Sequence, residues 1–468
     1  MNKNVYILII TLHLVFCQCI VYSAEIPEDK TASWTVGVAS VVITPEQSMW
    51  MAGYANRTHP SEGVLHDLKA KAIVFEDAKG NQSVLITTDL LGFPKALSEN
   101  IRNNLKSKFG FSRSRIILNS SHTHSGPVLR GSLLDIYPID SSDLAKINQY
   151  SDWLQKQIVL LVGKALNSMQ PVKLYAENGF ARFQVNRRNN NEKTLWKQTE
   201  LNGPNDYSVP VLKVVNNKNE LVSVIFGYGC HPTVLNGYDW SGDYPGFAQI
   251  ELEKFYPGAT AFFFQGSGAD QNPLPRRTIP LAVQYGKDLA IAVERVLAGE
   301  MNELLPTLEC AYSEVELPLI NQPTIEELLK MEKSSSDYQK KWATRLISKI
   351  KNGEELQKSY PYPVQVWSLG ELPIISLGGE LVSEYSLELR RILGNHIFIM
   401  GYSNDVMAYI PSSTILMEGG YEAATSQIVY GLPGVWAPSI EVQILHEILQ
   451  LAETVKIPLY SEINLSKD

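Results

Sequence analysis

Polar, glycine-rich stretches recur along this chain at one kind of place: directly after a short apolar run of β-forming residues. They are Asp89 after residues 84–88, His122 and His124 after 115–118, and His231 after 221–228. Further along come 242–246, 266–273 after the run 259–264, Gly379-Glu380 after 372–377, and 403–409 after 396–400. Singly, each has an ordinary explanation: His231 before a proline fits a capped turn, and Asp270 fits a helix cap or an Asx turn. Together they constrain the fold, because the carboxyl ends of strands in an α/β sheet are where ligands gather. The expectation is an α/β chain of mixed β-sheets with flanking helices, collecting one site from many strand ends.

The densest of these stretches, residues 119–127, reads NSSHTHSGP. If the segment stays extended, alternation puts the imidazoles of His122 and His124 on one side. Two imidazoles at a strand end, crowded by hydroxyls and a Gly-Pro turn, suit a zinc site, and they equally suit a polar turn with two satisfied histidines.

Of the 468 residues 44% are hydrophobic and 19% charged, which is ordinary globular composition with ample material for a core. A net charge of −8 excludes the basic footprint of a nucleic-acid binder. At the N-terminus, Lys3, an apolar run over residues 5–16 and the small pair Ser23-Ala24 have the layout of a secretory signal peptide over residues 1–24. That predicts a secreted or periplasmic protein. Cys17 and Cys19 leave with that peptide, and spacing alone does not decide whether Cys230 and Cys310 pair. Asn119 heads a glycosylation pattern, yet it sits too close to His122 to carry a glycan.

The periodicity predicts strands over 34–44, 69–76 and 84–88, a helix over 93–109 closing at Gly110, and a helix over 149–168. Strands follow over 173–185, 209–215, 221–228 and 259–264, with helices ending near Phe255 and spanning 281–298. The charged stretch 324–358 reads as a solvated helical pair inserted into a single elaborated domain, residues 25–468. A hairpin over 364–377, a helix opened by Gly378-Gly379-Glu380 and a last helix over 440–455 complete the order.

The succession HTHSGP, VNRR, GCHPT, SGDYPGFA, FFFQGSGADQNP, SLGGE and YSNDVMAYIPSSTILMEGGYE resembles the neutral/alkaline ceramidase family over roughly residues 36–450. The resemblance implies a zinc site of His122, His231, Glu380 and Tyr409. It places His124 at the scissile group, Arg187 on a polar substrate group, Tyr421 at the carbonyl, and Asp243 and Asp89 behind the ligands. Asp270 or His124 would protonate the leaving amine. The family's C-terminal immunoglobulin-like domain is expected to be absent, since the chain ends soon after its last helix.

Two departures stand out. The family's serine in the 268–273 loop is Asn272 here, which rules out a serine acyl-enzyme at that position and leaves attack by an activated water. Asn272 is then a substrate contact. Val128-Leu129 replace glycines after HTHSGP, which is expected to change the floor of the site. The leading expectation is a zinc amidohydrolase of ceramide-type amides, for which a lipid substrate would bring peripheral membrane contact. The alternatives are a zinc hydrolase of another amide or ester, such as a sugar or peptide conjugate, and a non-catalytic metal- or lipid-binding protein.

Overall fold

Two of the parallel strand pairs lie at opposite edges of one sheet. In this computed structural model, which describes residues 33–459 apart from 134, 334 and 335, the sheet runs from Thr260–Gln265 through Leu221–Tyr228, Ser208–Asn216, Gln170–Phe180, Trp34–Val42, Lys69–Glu76 and Gln82–Thr88 to Ile116–Ser120. The middle pairings are antiparallel, while Gln82–Thr88 with Ile116–Ser120 and Leu221–Tyr228 with Thr260–Gln265 are parallel. Parallel neighbours need a crossover, and helices Lys95–Phe109 and Asp243–Phe255 supply one each. The signal-peptide reading falls on residues outside those described.

The sheet curls until its two edge strands meet. The amide of Gln265 donates to Asn119 Oδ1 at 3.0 Å, and Asn119 Nδ2 donates to Gly401 O at 2.7 Å and Ser403 Oγ at 3.0 Å. Asn119 is fully buried, which agrees with reading its glycosylation pattern as chance. Strand residues alternate between two interiors, as the pleat requires. Val84, Ile86, Ile116 and Leu118 face helices Lys95–Phe109 and Ser141–Leu166, whereas Leu85, Ile117, Phe262 and Phe264 meet a second sheet through Trp367, Ile374 and Phe398.

That second sheet joins Phe398–Met400, Leu372–Leu377, Ser359–Leu369, Leu308–Ile320 and Val435–Trp436 in this order. Leu372–Leu377 and Phe398–Met400 are parallel, with helix Ser383–Leu393 between them, so a third strand–helix–strand unit faces the other two. Its strand Leu308–Ile320 has no counterpart among the sequence expectations. The helix expected from 149 begins at Ser141, where the Asp140 carboxylate accepts the Asp143 amide. The inserted helices are Ile325–Met331 and Asp337–Lys351, held together by Leu328, Trp342, Leu346 and Ile347. No helix among the described residues is long and apolar enough to cross a membrane.

Candidate metal centre

Each of the three parallel units delivers its chemistry from the carboxyl ends of its strands. The first gives His122, which does not lie on extended backbone: its φ is +64°. The same-side argument from alternation therefore fails. The left-handed turn is enforced by the His122 amide donating to Leu90 O at 2.9 Å and by the ring, whose Nδ1 donates to Leu91 O at 2.7 Å. Both carbonyls belong to the loop after the neighbouring parallel strand. The second unit repeats the device: His231 follows Leu221–Tyr228, and its Nδ1 donates to Gly268 O at 2.7 Å, in the loop after Thr260–Gln265. The third unit gives Glu380 and Tyr409, aligned opposite each other in a short parallel ladder.

With Nδ1 protonated on both rings, each Nε2 is an unprotonated acceptor. Both point at one oxygen: Glu380 Oε2 is 3.2 Å from His122 Nε2 and 3.0 Å from His231 Nε2. Three lone pairs converging in a buried place repel unless a cation lies among them. Donors ~2 Å from one ion stand roughly 3 Å apart, so the set fits a metal ion. The other carboxylate oxygen, Oε1, accepts the Tyr430 hydroxyl at 2.5 Å. The Tyr409 hydroxyl lies 3.5 Å from His231 Nε2 and accepts from Arg187 Nη2 at 3.2 Å. His122, His124 and His231 also have ring nitrogens within 4.8 Å of one another.

His124 packs on His122 with ring centroids 5.0 Å apart and on Tyr54 at 4.7 Å, and neither of its nitrogens has a protein partner. Burial, with the other histidines adding to it, holds its pKa well below the usual imidazole value, so the ring is neutral at pH 7. Tyr421 stacks edge-on with Tyr409 at 5.3 Å and is 45% exposed. Burial of its hydroxyl pushes its pKa up to about 12, so it keeps its proton. Arg187 is fixed by Glu422 at 2.9 Å, and Arg188 holds the same carboxylate at 2.7 Å.

Asp270 does not face the reacting groups with a free oxygen. Its Oδ1 accepts the Ser383 amide and its Oδ2 the Ser383 hydroxyl, both at 2.8 Å, with Asn186 Nδ2 on Oδ2 at 2.9 Å. It thereby ties together the segments bearing Arg187, Asn272 and Glu380. Asn272 is 5% exposed and its Oδ1 has no partner. The two carboxylates expected behind the histidines touch neither. Asp243 accepts the amides of Val234 and Leu235 and so shapes the loop after His231; burial pushes its pKa up to about 6. Asp89 accepts the Lys69 amide at 2.8 Å. Carbonyls do the orienting instead.

Val128 and Leu129 are core residues packed with Trp50 and Tyr137, so they fill the interior and are not among the residues that line the cavity beside Arg187. Cys230 and Cys310 are both free thiols. The sequence carried no signal for Tyr430 or for the carbonyls of Leu91 and Gly268, since main-chain acceptors leave no residue signature.

The family model described as neutral/alkaline non-lysosomal ceramidase, N-terminal, matches residues 34–269. Neutral ceramidase B of Dictyostelium discoideum is 27% identical over 267 residues, which are 52% of this chain and 36% of that protein. Neutral ceramidase of Drosophila melanogaster is 24% identical over 234 residues, 48% of this chain and 33% of that one. The matched stretch thus spans about a third of these relatives' length. The neutral ceramidase structure from Pseudomonas aeruginosa superposes with a TM-score of 0.70 at 19% identity, covering 91% of this chain and 75% of that one, which is a likeness of fold. By the model match, the chain belongs to the neutral/alkaline non-lysosomal ceramidase family.

Proposed function

We propose that this protein is an exported, zinc-dependent hydrolase of N-acyl amide bonds, of the ceramidase type. The observation that carries the reading is the convergence of His122 Nε2, His231 Nε2 and Glu380 Oε2 on one buried point. Those residues, with Tyr409 beside them, would hold the ion. The donor set of two imidazoles and one carboxylate suits zinc. Bound there, zinc would polarise a carbonyl and acidify a water molecule.

The chain's own groups do the rest. Tyr421 keeps its proton at neutral pH and donates to the substrate carbonyl, so it supports the oxygen as negative charge develops. His124, neutral and with both ring nitrogens unpartnered, carries a proton between the attacking water and the departing amine. Arg187 fixes the Tyr409 hydroxyl and presents its guanidinium to a polar substrate group. Asp270, its oxygens held by Ser383 and Asn186, acts as a positioning residue, which leaves the acid role to His124. Asn272 offers no nucleophile at the position of the family's serine, so attack is assigned to water.

The test is the metal-loaded protein assayed on a panel of ceramides, N-acyl amino acids, N-acetylated sugars and simple esters, with Glu380→Ala as the blank. One zinc per chain with amide cleavage and no acylated residue by mass spectrometry is the expected result. Full zinc with no cleavage of any compound would move the protein to a metal-binding role. An acyl ester on Ser267 would overturn the direct-water route.

A further inference from the structure

Arg187, Asn272 and Tyr421 open onto a cavity of about 560 Å³ beside the metal centre. Its other polar walls are Arg188, Asn190, Glu192, Arg276, Glu418 and Glu422, and Leu274 is the one aliphatic side chain among the residues that line it. The charges are interleaved in pairs: Arg276 with Glu192 at 2.9 Å, Arg188 with Glu418 at 2.8 Å, and Glu422 with both Arg188 and Arg187 at 2.7 and 2.9 Å. Below them lies the buried, unpartnered Oδ1 of Asn272.

These walls discriminate among amides. A long alkyl chain laid along them would strip water from ion pairs and gain few apolar contacts in return. A free carboxylate finds no excess positive charge, because three guanidiniums are balanced by three carboxylates. A neutral polyhydroxyl group meets donors and acceptors in alternation along the walls, Asn272 among them, and the half-exposed ring of Tyr421 for its C–H face. We infer that the cavity takes a neutral, water-soluble N-acylated amine rich in hydroxyls, of the N-acyl amino sugar class, and not a long-chain sphingoid lipid. The inference rests on the hydrolase reading above. In the reaction the amide C–N bond breaks, the oxygen of water joins the acyl carbon, and a water proton ends on the amine.

The matched probes are N-acetylglucosamine and N-acetylsphingosine in mixed micelles, which share one acyl group. With the zinc-loaded full chain, kcat/KM should favour the sugar amide by 100-fold or more. Asn272→Leu and Arg276→Leu should each raise its KM tenfold or more with a smaller change in kcat. Equal or faster cleavage of the sphingoid amide overturns the inference and leaves the hydrolase reading standing. If neither is cleaved, the wider panel above decides the hydrolase reading, and calorimetric titration of Glu380→Ala with both probes decides the cavity separately. Sugar-amide binding that Asn272→Leu abolishes supports the inference. Binding of the lipid alone, or of neither probe, overturns it.

Discussion

The metal centre and the cavity beside it are built on opposite principles. In the centre His122, His231, Glu380 and Tyr409 are nearly fully buried, and each of these two histidines is aimed by a main-chain carbonyl from the loop after the adjacent parallel strand. In the cavity the aiming groups are long side chains on short helical turns and loops, with Glu192 and Glu418 about half exposed. A carbonyl within a sheet's end loop has no rotamers and barely moves, whereas a surface ion pair is worth little and is screened. On the proposed reading, chemistry falls to the buried part and substrate choice to the more exposed part.

The strongest way to break this division is His231→Ala. We expect loss of bound zinc and a fall of about three orders of magnitude or more in kcat/KM, checked by metal analysis and steady-state kinetics. Zinc retained at full stoichiometry would mean that His124 replaces it as a ligand. Next comes Arg187→Ala, at the boundary of the two regions. With Tyr409 and Glu422 both losing a partner, kcat should drop about 100-fold while zinc content stays. Equal loss of zinc would shift Arg187 into the buried part.

Tyr430→Phe sharpens the comparison from within the centre. Its hydroxyl holds Glu380 Oε1 so that Oε2 faces the histidines. Partners of this kind typically contribute ~10–100-fold in metal affinity, so chelator competition should show about tenfold weaker zinc binding. An unchanged affinity would make Tyr430 a packing residue.

The smallest effect serves as a control outside both regions. Burial pushes the Asp405 carboxyl up to about 7, and its Oδ2 accepts the Tyr360 hydroxyl at 2.6 Å. A carboxyl with a raised folded pKa holds its proton in the folded state and loses it in the unfolded one. Its contribution is thus full below about pH 4 and is lost as pH rises through about 7. Between pH 6 and 8 the folded state should lose about 1 kcal/mol on this account. Asp405→Asn should remove that slope in urea titrations while leaving zinc content unchanged. A slope that persists in the variant would point to another group.

Polar stretches after apolar runs marked where the candidate site would gather, while the choice of His122, His231, Glu380 and Tyr409 within them came from the family resemblance, and the structure brings these four together. What escaped has a physical reason in each case. Leu308–Ile320 mixes Glu309, Glu314 and Glu316 with apolar residues because half its length faces solvent, so its alternation reads as irregular polarity. The first turns of helix Ser141–Leu166 carry Ser, Asp and Lys on an exposed face, which hid its start. His122 leaves the extended conformation only because Leu90 and Leu91 supply carbonyls from a strand that is distant in sequence. The hydrogen bonds that hold Asp270 escaped as well, because its Ser383 and Asn186 partners lie on segments that no local pattern connects.

The donors around the candidate ion come from three separate strand–helix–strand units, reaching from the Leu91 carbonyl to the Tyr430 hydroxyl. No contiguous piece of the polypeptide owns the coordination sphere. An ion held there would be captured late in folding, only after distant chain segments have closed their loops, and would act as a clasp on topology already achieved. A ligand that binds only the assembled state adds RT ln(1 + [L]/Kd), ~4 kcal/mol at a thousandfold excess over Kd. Metal supply would consequently govern how much chain survives maturation, before it governs how fast any molecule turns over.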